Sequence, residues 1–134
     1  MSLSISYNKL INIEARTMAD MVLHQILPAS IAYSSDLAEC YNRKQAALGV
    51  SVPSSAEKAL IEKISTHCDA LYVACEKLHA DLNNVPKDSR LAMDFYSDSI
   101  VPDMRDVRLH ADQLEALTAK SYWPYPTYSD ILYY

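Results

Sequence analysis

Apolar residues recur every three or four positions along most of the chain, and the stretches that keep this rhythm predict three helices. The plainest stretch runs through Ile61, Ile64, Cys68, Leu71, Cys75, Leu78, Leu82 and Val85. Its steps alternate between three and four without a fault, the seam of a helix packed along one line. Ser54 with Glu57 has the form of a capping box, and Asn83-Asn84-Val85-Pro86 closes the run, which predicts a second helix over about 54–84. A third helix over about 88–120 carries Met93, Tyr96, Ile100, Met104, Val107, Ala111, Leu114 and Leu117, with Asp88 or Ser89 as its cap. Pro102 falls inside it. The pattern continues on both sides, so one kinked helix is expected in preference to a fresh start capped near Ser99.

The first helix, expected over about 7–47, is the longest and has two apolar sides. At about 100° per residue, Ile11, Ala15, Met18, Val22, Ala29, Tyr33 and Cys40 share one face. Ile13, Leu27 and Ile31 fall roughly opposite, with His24 among them. Pro28 sits inside the pattern and again predicts a kink. Gly49 suits the left-handed position after the helix end. A helix with a second apolar side calls for a second partner, so Ile13, His24, Leu27 and Ile31 are candidate interface residues.

Short connections make neighbouring helices antiparallel. The predicted fold is therefore all-α: an antiparallel up-down-up bundle of three long helices, the first and third kinked at proline, forming one domain over 1–134. From Ser121 the rhythm stops. Tyr122-Trp123-Pro124-Tyr125-Pro126-Thr127-Tyr128 cannot continue a helix through two prolines, so 121–134 is read as an extended aromatic arm. Trp123 and Leu132 are expected to pack on the bundle or on a partner.

Composition narrows the choice of function. A single glycine in 134 residues argues against the tight turns of an all-β fold and against a phosphate-cradling loop. The net charge of −5 disfavours nucleic acid as a partner. Met18–Tyr33, broken by Asp20, His24 and Gln25, is too polar to span a membrane. The three cysteines, Cys40, Cys68 and Cys75, sit on predicted apolar faces and do not form a disulfide framework, so a reducing, cytoplasmic setting is expected.

Candidate chemistry is sparse. Glu76 and His79 have the E-x-x-H spacing of helical carboxylate metal sites, but the pair occurs once and the seam passes through Cys75 and Leu78 beside it. His67 and Cys68 point about 100° apart and cannot readily chelate together. His24 after Asp20 and His110 after Asp106 read as surface pairs at i, i+4. No serine or cysteine stands beside a glycine as a hydrolase nucleophile would. No catalytic, cofactor or metal residue is assigned.

The two ends carry a resemblance. Asn12-Ile13-Glu14-Ala15-Arg16-Thr17-Met18-Ala19-Asp20-Met21 with Ile26-Leu27-Pro28-Ala29 resembles the opening of the C-terminal region of type III glutamine synthetases. Ile100-Val101-Pro102, Ala111-Asp112-Gln113-Leu114-Glu115 and the arm Tyr122 to Leu132 resemble its closing signature; the middle helix matches in pattern only. The resemblance implies a fragment: the non-catalytic helical C-terminal domain of an ATP-dependent ligase that joins ammonia to glutamate. It implies ATP and magnesium or manganese only in an upstream catalytic region, and as partners that region and neighbouring subunits of a homo-oligomer. A stand-alone helical protein-binding module is the alternative, and a ferritin-like metal protein resting on Glu76 and His79 a remote one.

Overall fold

The computed structural model describes residues 3–126, and every regular element among them is helical. Three continuous helices are built from seven segments. The first comprises Leu3–Met21, a π-helical turn Val22–Ile26 and Leu27–Leu48; the second is Ser55–Leu82. The third comprises Ser89–Phe95, a π-helical turn Tyr96–Ile100 and Val101–Leu117.

Neither proline ends its helix, because a widened turn stands before each. Leu27 N–H reaches back to the Val22 carbonyl and Val101 N–H to that of Tyr96, each an i to i−5 bond. In a regular α-helix a proline leaves one carbonyl without its donor and its ring collides with the preceding turn. A turn holding one more residue relieves that collision and lets the helix continue past Pro28 and Pro102.

The helix ends have local causes. Asp88 caps the third helix, its side chain accepting from the N–H groups of Arg90 and Leu91 at 3.0 Å each. The capping box expected at Ser54 is not formed: the serine side chain makes no cap bond, and the Glu57 carboxylate instead takes the Lys44 ammonium at 2.6 Å. Glu57 is thus recruited by the preceding helix. Gly49, at φ 93° and ψ 166°, has the positive φ expected of it, though its ψ is extended where the left-handed helical cap has about 50°. The third helix stops at Leu117, where Thr118 turns to extended backbone.

The second helix packs against both others, and its seam forms the middle of the core. Ile64, Cys68, Leu71, Cys75, Leu78 and Leu82 are all buried, with Ala15, Ala19, Val22 and Ile26 on one side and Tyr96, Ile100, Val107 and Leu114 on the other. The first and third helices meet directly at two levels. Asn8 donates to the Ser89 carbonyl and Asn12 to the Tyr96 hydroxyl, both at 2.9 Å, while Ser30 and Thr118 share a buried hydroxyl contact of 2.9 Å.

The π turn in the first helix corrects the predicted faces. One extra residue turns everything beyond it by about 100° relative to an uninterrupted wheel. Downstream, the inward positions therefore move on by one: Ser30 is fully buried where Ala29 was expected to lead, and Tyr41 is half-buried while Cys40 is exposed. Leu27, expected on the outer face, is only 6% exposed and belongs to the core.

Candidate interface

Of the residues singled out on the outer side of the first helix, three remain there. Ile13 and Ile31 are 54% and 55% exposed, and His24 is exposed beside Asp20, with Nε2 3.5 Å from the carboxylate. Leu27 drops out for the reason just given. Trp123 is half-buried against the core, and Leu132 lies outside the described residues.

Between the first and third helices, below the level of Ser30 and Thr118, lies an open groove of about 410 Å³. Its floor is apolar: Met18, Met21, Val22 and Ile26 from one helix, Val107 and Ala111 from the other. Ile13 and Thr17 stand along one edge; Glu14, Arg108 and Asp112 supply its charges. It lies between the contacts near the helix starts and that of Ser30 with Thr118, over the buried side chains of Val22 and Val107.

The start of the aromatic arm folds back onto the first helix. Tyr122 stacks on Tyr33 with ring centres 5.1 Å apart and donates its hydroxyl to Asp36. Three residues on, Tyr125 donates to the Gln25 side chain and packs against the core. The chain therefore runs from the level of Asp36 down to that of Gln25, toward the groove. The hydrogen bond to Asp36 raises the Tyr122 phenol above its ordinary range; burial, and then Asp20, raise that of Tyr125.

Other polar groups meet where single-helix spacing gave no sign of it. Asp103, three residues past the second π turn and buried, takes the Lys77 ammonium at 2.7 Å, while Lys77 also bonds Asp81 at 3.0 Å. Burial holds the Asp103 carboxyl above the usual carboxylate range, and its hydrogen bond with Asp103 holds Asp81 below it. The steps Ile100, Asp103, Val107 place this aspartate inward, a signal present in the sequence that its charge conceals. His110 faces His67 across the helices, with Nδ1 atoms 3.4 Å apart, and so is no simple surface partner of Asp106. Burial pushes the Cys68 thiol up to about 11, which suits a core residue and not a nucleophile. Glu76 is exposed beside a half-buried His79, and no group of three or more His, Cys, Asp or Glu that could hold a metal occurs among the described residues.

The first helix also carries the family signature: residues 3–45 match the glutamine synthetase C-terminal domain. Over nearly its whole length the chain is similar to larger proteins of that name. It is 33% identical over 134 aligned positions to the type-3 glutamine synthetase of Dictyostelium discoideum, covering 95% of this chain and 18% of that protein. It is 26% identical to the glutamine synthetases of Butyrivibrio fibrisolvens and of Bacteroides fragilis (strain YCH46), over 96% and 95% of this chain and 18% of each relative. With its described elements all helical and its first helix matching that model, the chain groups with the C-terminal domains of glutamine synthetases. Within that group it is related to the type III enzymes, in agreement with the signatures at its two ends. It spans less than a fifth of the length of these relatives.

Proposed function

We propose that this chain is the non-catalytic helical domain of a type III glutamine synthetase and serves its assembly. The observation that carries the reading is the likeness that runs along 95% of this chain while covering only 18% of the relative. In that reading residues 1–134 form one domain, an up-down-up bundle closed by the aromatic arm. The contacts of Asn8 with Ser89 and Ser30 with Thr118 support this order, since they join the starts of the outer helices and then their later parts. ATP and magnesium or manganese act in the upstream catalytic region, where ammonia is joined to glutamate. In the same reading the enzyme works in the cytoplasm.

Ile31 and His24, with Ile13 at the groove edge, are then the surface offered to the upstream region or to a neighbouring subunit. The test uses the whole enzyme. Replacing Ile31 by Ser together with His24 by Ser is expected to lower the particle mass in light scattering while the melting temperature of this domain stays unchanged. An undiminished particle mass would refute the interface. Glutamine formed from glutamate, ammonia and ATP by the isolated chain would refute the non-catalytic role.

A further inference from the structure

We infer that His67 and His110 form a site for a zinc-class transition-metal ion that staples the second helix to the third. Their Nδ1 atoms face each other at 3.4 Å across the two helices. The ring centres are 5.7 Å apart and the planes tilted by 44°, so the rings meet through their nitrogen edges and not face to face. Two imidazoles on one tetrahedral zinc ion, at about 2.0–2.1 Å each, hold their nitrogens roughly 3.3 Å apart. The observed separation is close to that bite. As a hydrogen bond the contact is long, since protein N–H bonds usually measure about 2.7–3.2 Å, and it engages one proton only. An ion replaces it with two metal–nitrogen bonds once a small turn of each ring brings the lone pairs to one point.

Placement is the second support. His67 follows Ile64 by three residues and precedes Leu71 by four, and His110 has the same relation to Val107 and Leu114. All four aliphatic side chains are fully buried. Each histidine is therefore fixed at the edge of a packed seam, on a helical segment that runs without interruption through it. Both are half-buried, which leaves a path for an ion and for water.

Donor chemistry selects the ion. Neutral imidazole suits zinc, copper and nickel, whereas magnesium takes oxygen ligands. Among the described residues no third His, Cys, Asp or Glu joins the pair, so water fills the remaining positions and binding is reversible. The inference does not rest on the assembly reading.

Thermal melts of the full chain test it, with the exposed Cys40 replaced by Ser to remove a competing thiol. Zinc is expected to raise the melting temperature by a few degrees, saturating at one ion per chain, and magnesium to leave it unchanged. His67→Gln and His110→Gln are each expected to abolish the rise. A rise that survives either change, an equal rise with magnesium, or no rise with zinc would overturn the proposal. So would a doubled particle mass with zinc, which would place the ion between two copies. A second readout alters neither histidine: zinc is expected to slow modification of His67 and His110 by diethyl pyrocarbonate severalfold, read by mass spectrometry. The exposed His24 and the half-buried His79 serve as controls. Equal protection of His24 or His79 would also overturn it.

Discussion

The first and third helices contain the same device, a π turn ending two residues before a proline, yet its consequences in the two are different. In the third helix the apolar steps across the turn are Tyr96, Ile100 and Met104, two successive fours, and these already allow for a wide turn. Residues expected inside on either side of it, Tyr96, Ile100, Val107 and Leu114, are inside. In the first helix Met18, Val22 and Ile26 make the same two fours, but the inward position four residues on is the polar Ser30, so no apolar residue continues the shifted phase. An uninterrupted wheel then carries the wrong phase past Ile26, misplacing Leu27, Ala29 and Cys40, although Tyr33 still packs against the core. A proline inside an apolar rhythm thus announces a disturbance, but only the apolar residues flanking it reveal the resulting rotation.

Deletions separate a widened turn from a regular one most sharply. Removing Lys63, exposed in the middle of the second helix, turns half of the seam by about 100° away from its partners. Loss of a cooperative unfolding transition is expected. Removing His24 instead takes out the surplus residue of the π turn and leaves both flanks in phase. The remaining cost is Pro28 in a now regular helix, about 3 kcal/mol. Adding Pro28→Ala should recover most of it. Urea titrations followed by circular dichroism give both values; if the double change unfolds the chain as the Lys63 deletion does, the turn is not a one-residue insertion.

Leu27 and Ile31 lie one turn apart on the far side of the first π turn, and the rotation sends only the former inward. Leu27→Ala is expected to cost about 2–5 kcal/mol, as for other fully packed leucines. Ile31→Ser, at a position left half exposed, is expected to change stability by no more than about 0.5 kcal/mol in the isolated chain. Equal losses at the two positions in chemical denaturation would mean that the outer face still includes Leu27.

Legibility followed the same division. The seam of the second helix could be read directly, because nothing interrupts it: Ile64, Cys68, Leu71, Cys75, Leu78 and Leu82 are buried as its spacing names. Ile61 and Val85 at its ends are half-buried, and the capping box at Ser54 is not formed. The three-helix plan follows from that seam and from the rhythm of the third. Of the residues expected on the outer face of the first helix, Ile13, His24 and Ile31 are exposed, whereas the π turn brings Leu27 into the core. The groove was not legible, since it is formed by residues of two helices about ninety positions apart, a matter of tertiary geometry. Pairings such as His67 with His110 and Lys77 with Asp103 join residues more than twenty positions apart, and spacing along one helix cannot report them.

The smallest expected effects concern where the helices begin. Asp88 and Ser54 have the same formal role ahead of the third and second helices, but only Asp88 performs it. Its carboxylate accepts two N–H bonds that would otherwise lack an internal partner. Asp88→Ala should therefore cost about 1 kcal/mol. Ser54 makes no such bond, because its backbone turns at φ −148° and ψ 21°, and its box partner Glu57 is engaged by Lys44. Ser54→Ala should be nearly silent in thermal melts. The hydrogen bond from Lys44 lowers the Glu57 pKa, so the contact belongs to the charged carboxylate and is lost as the pH falls through the carboxylate range. The glutamate that fails to close the capping box then ties the first helix to the second. In that case Ser54→Ala should become measurable in a Lys44→Ala background, where Glu57 is free to return to the Ser54 N–H. Additive effects of the two changes would instead show that the backbone at Ser54, and not competition for Glu57, keeps the box open.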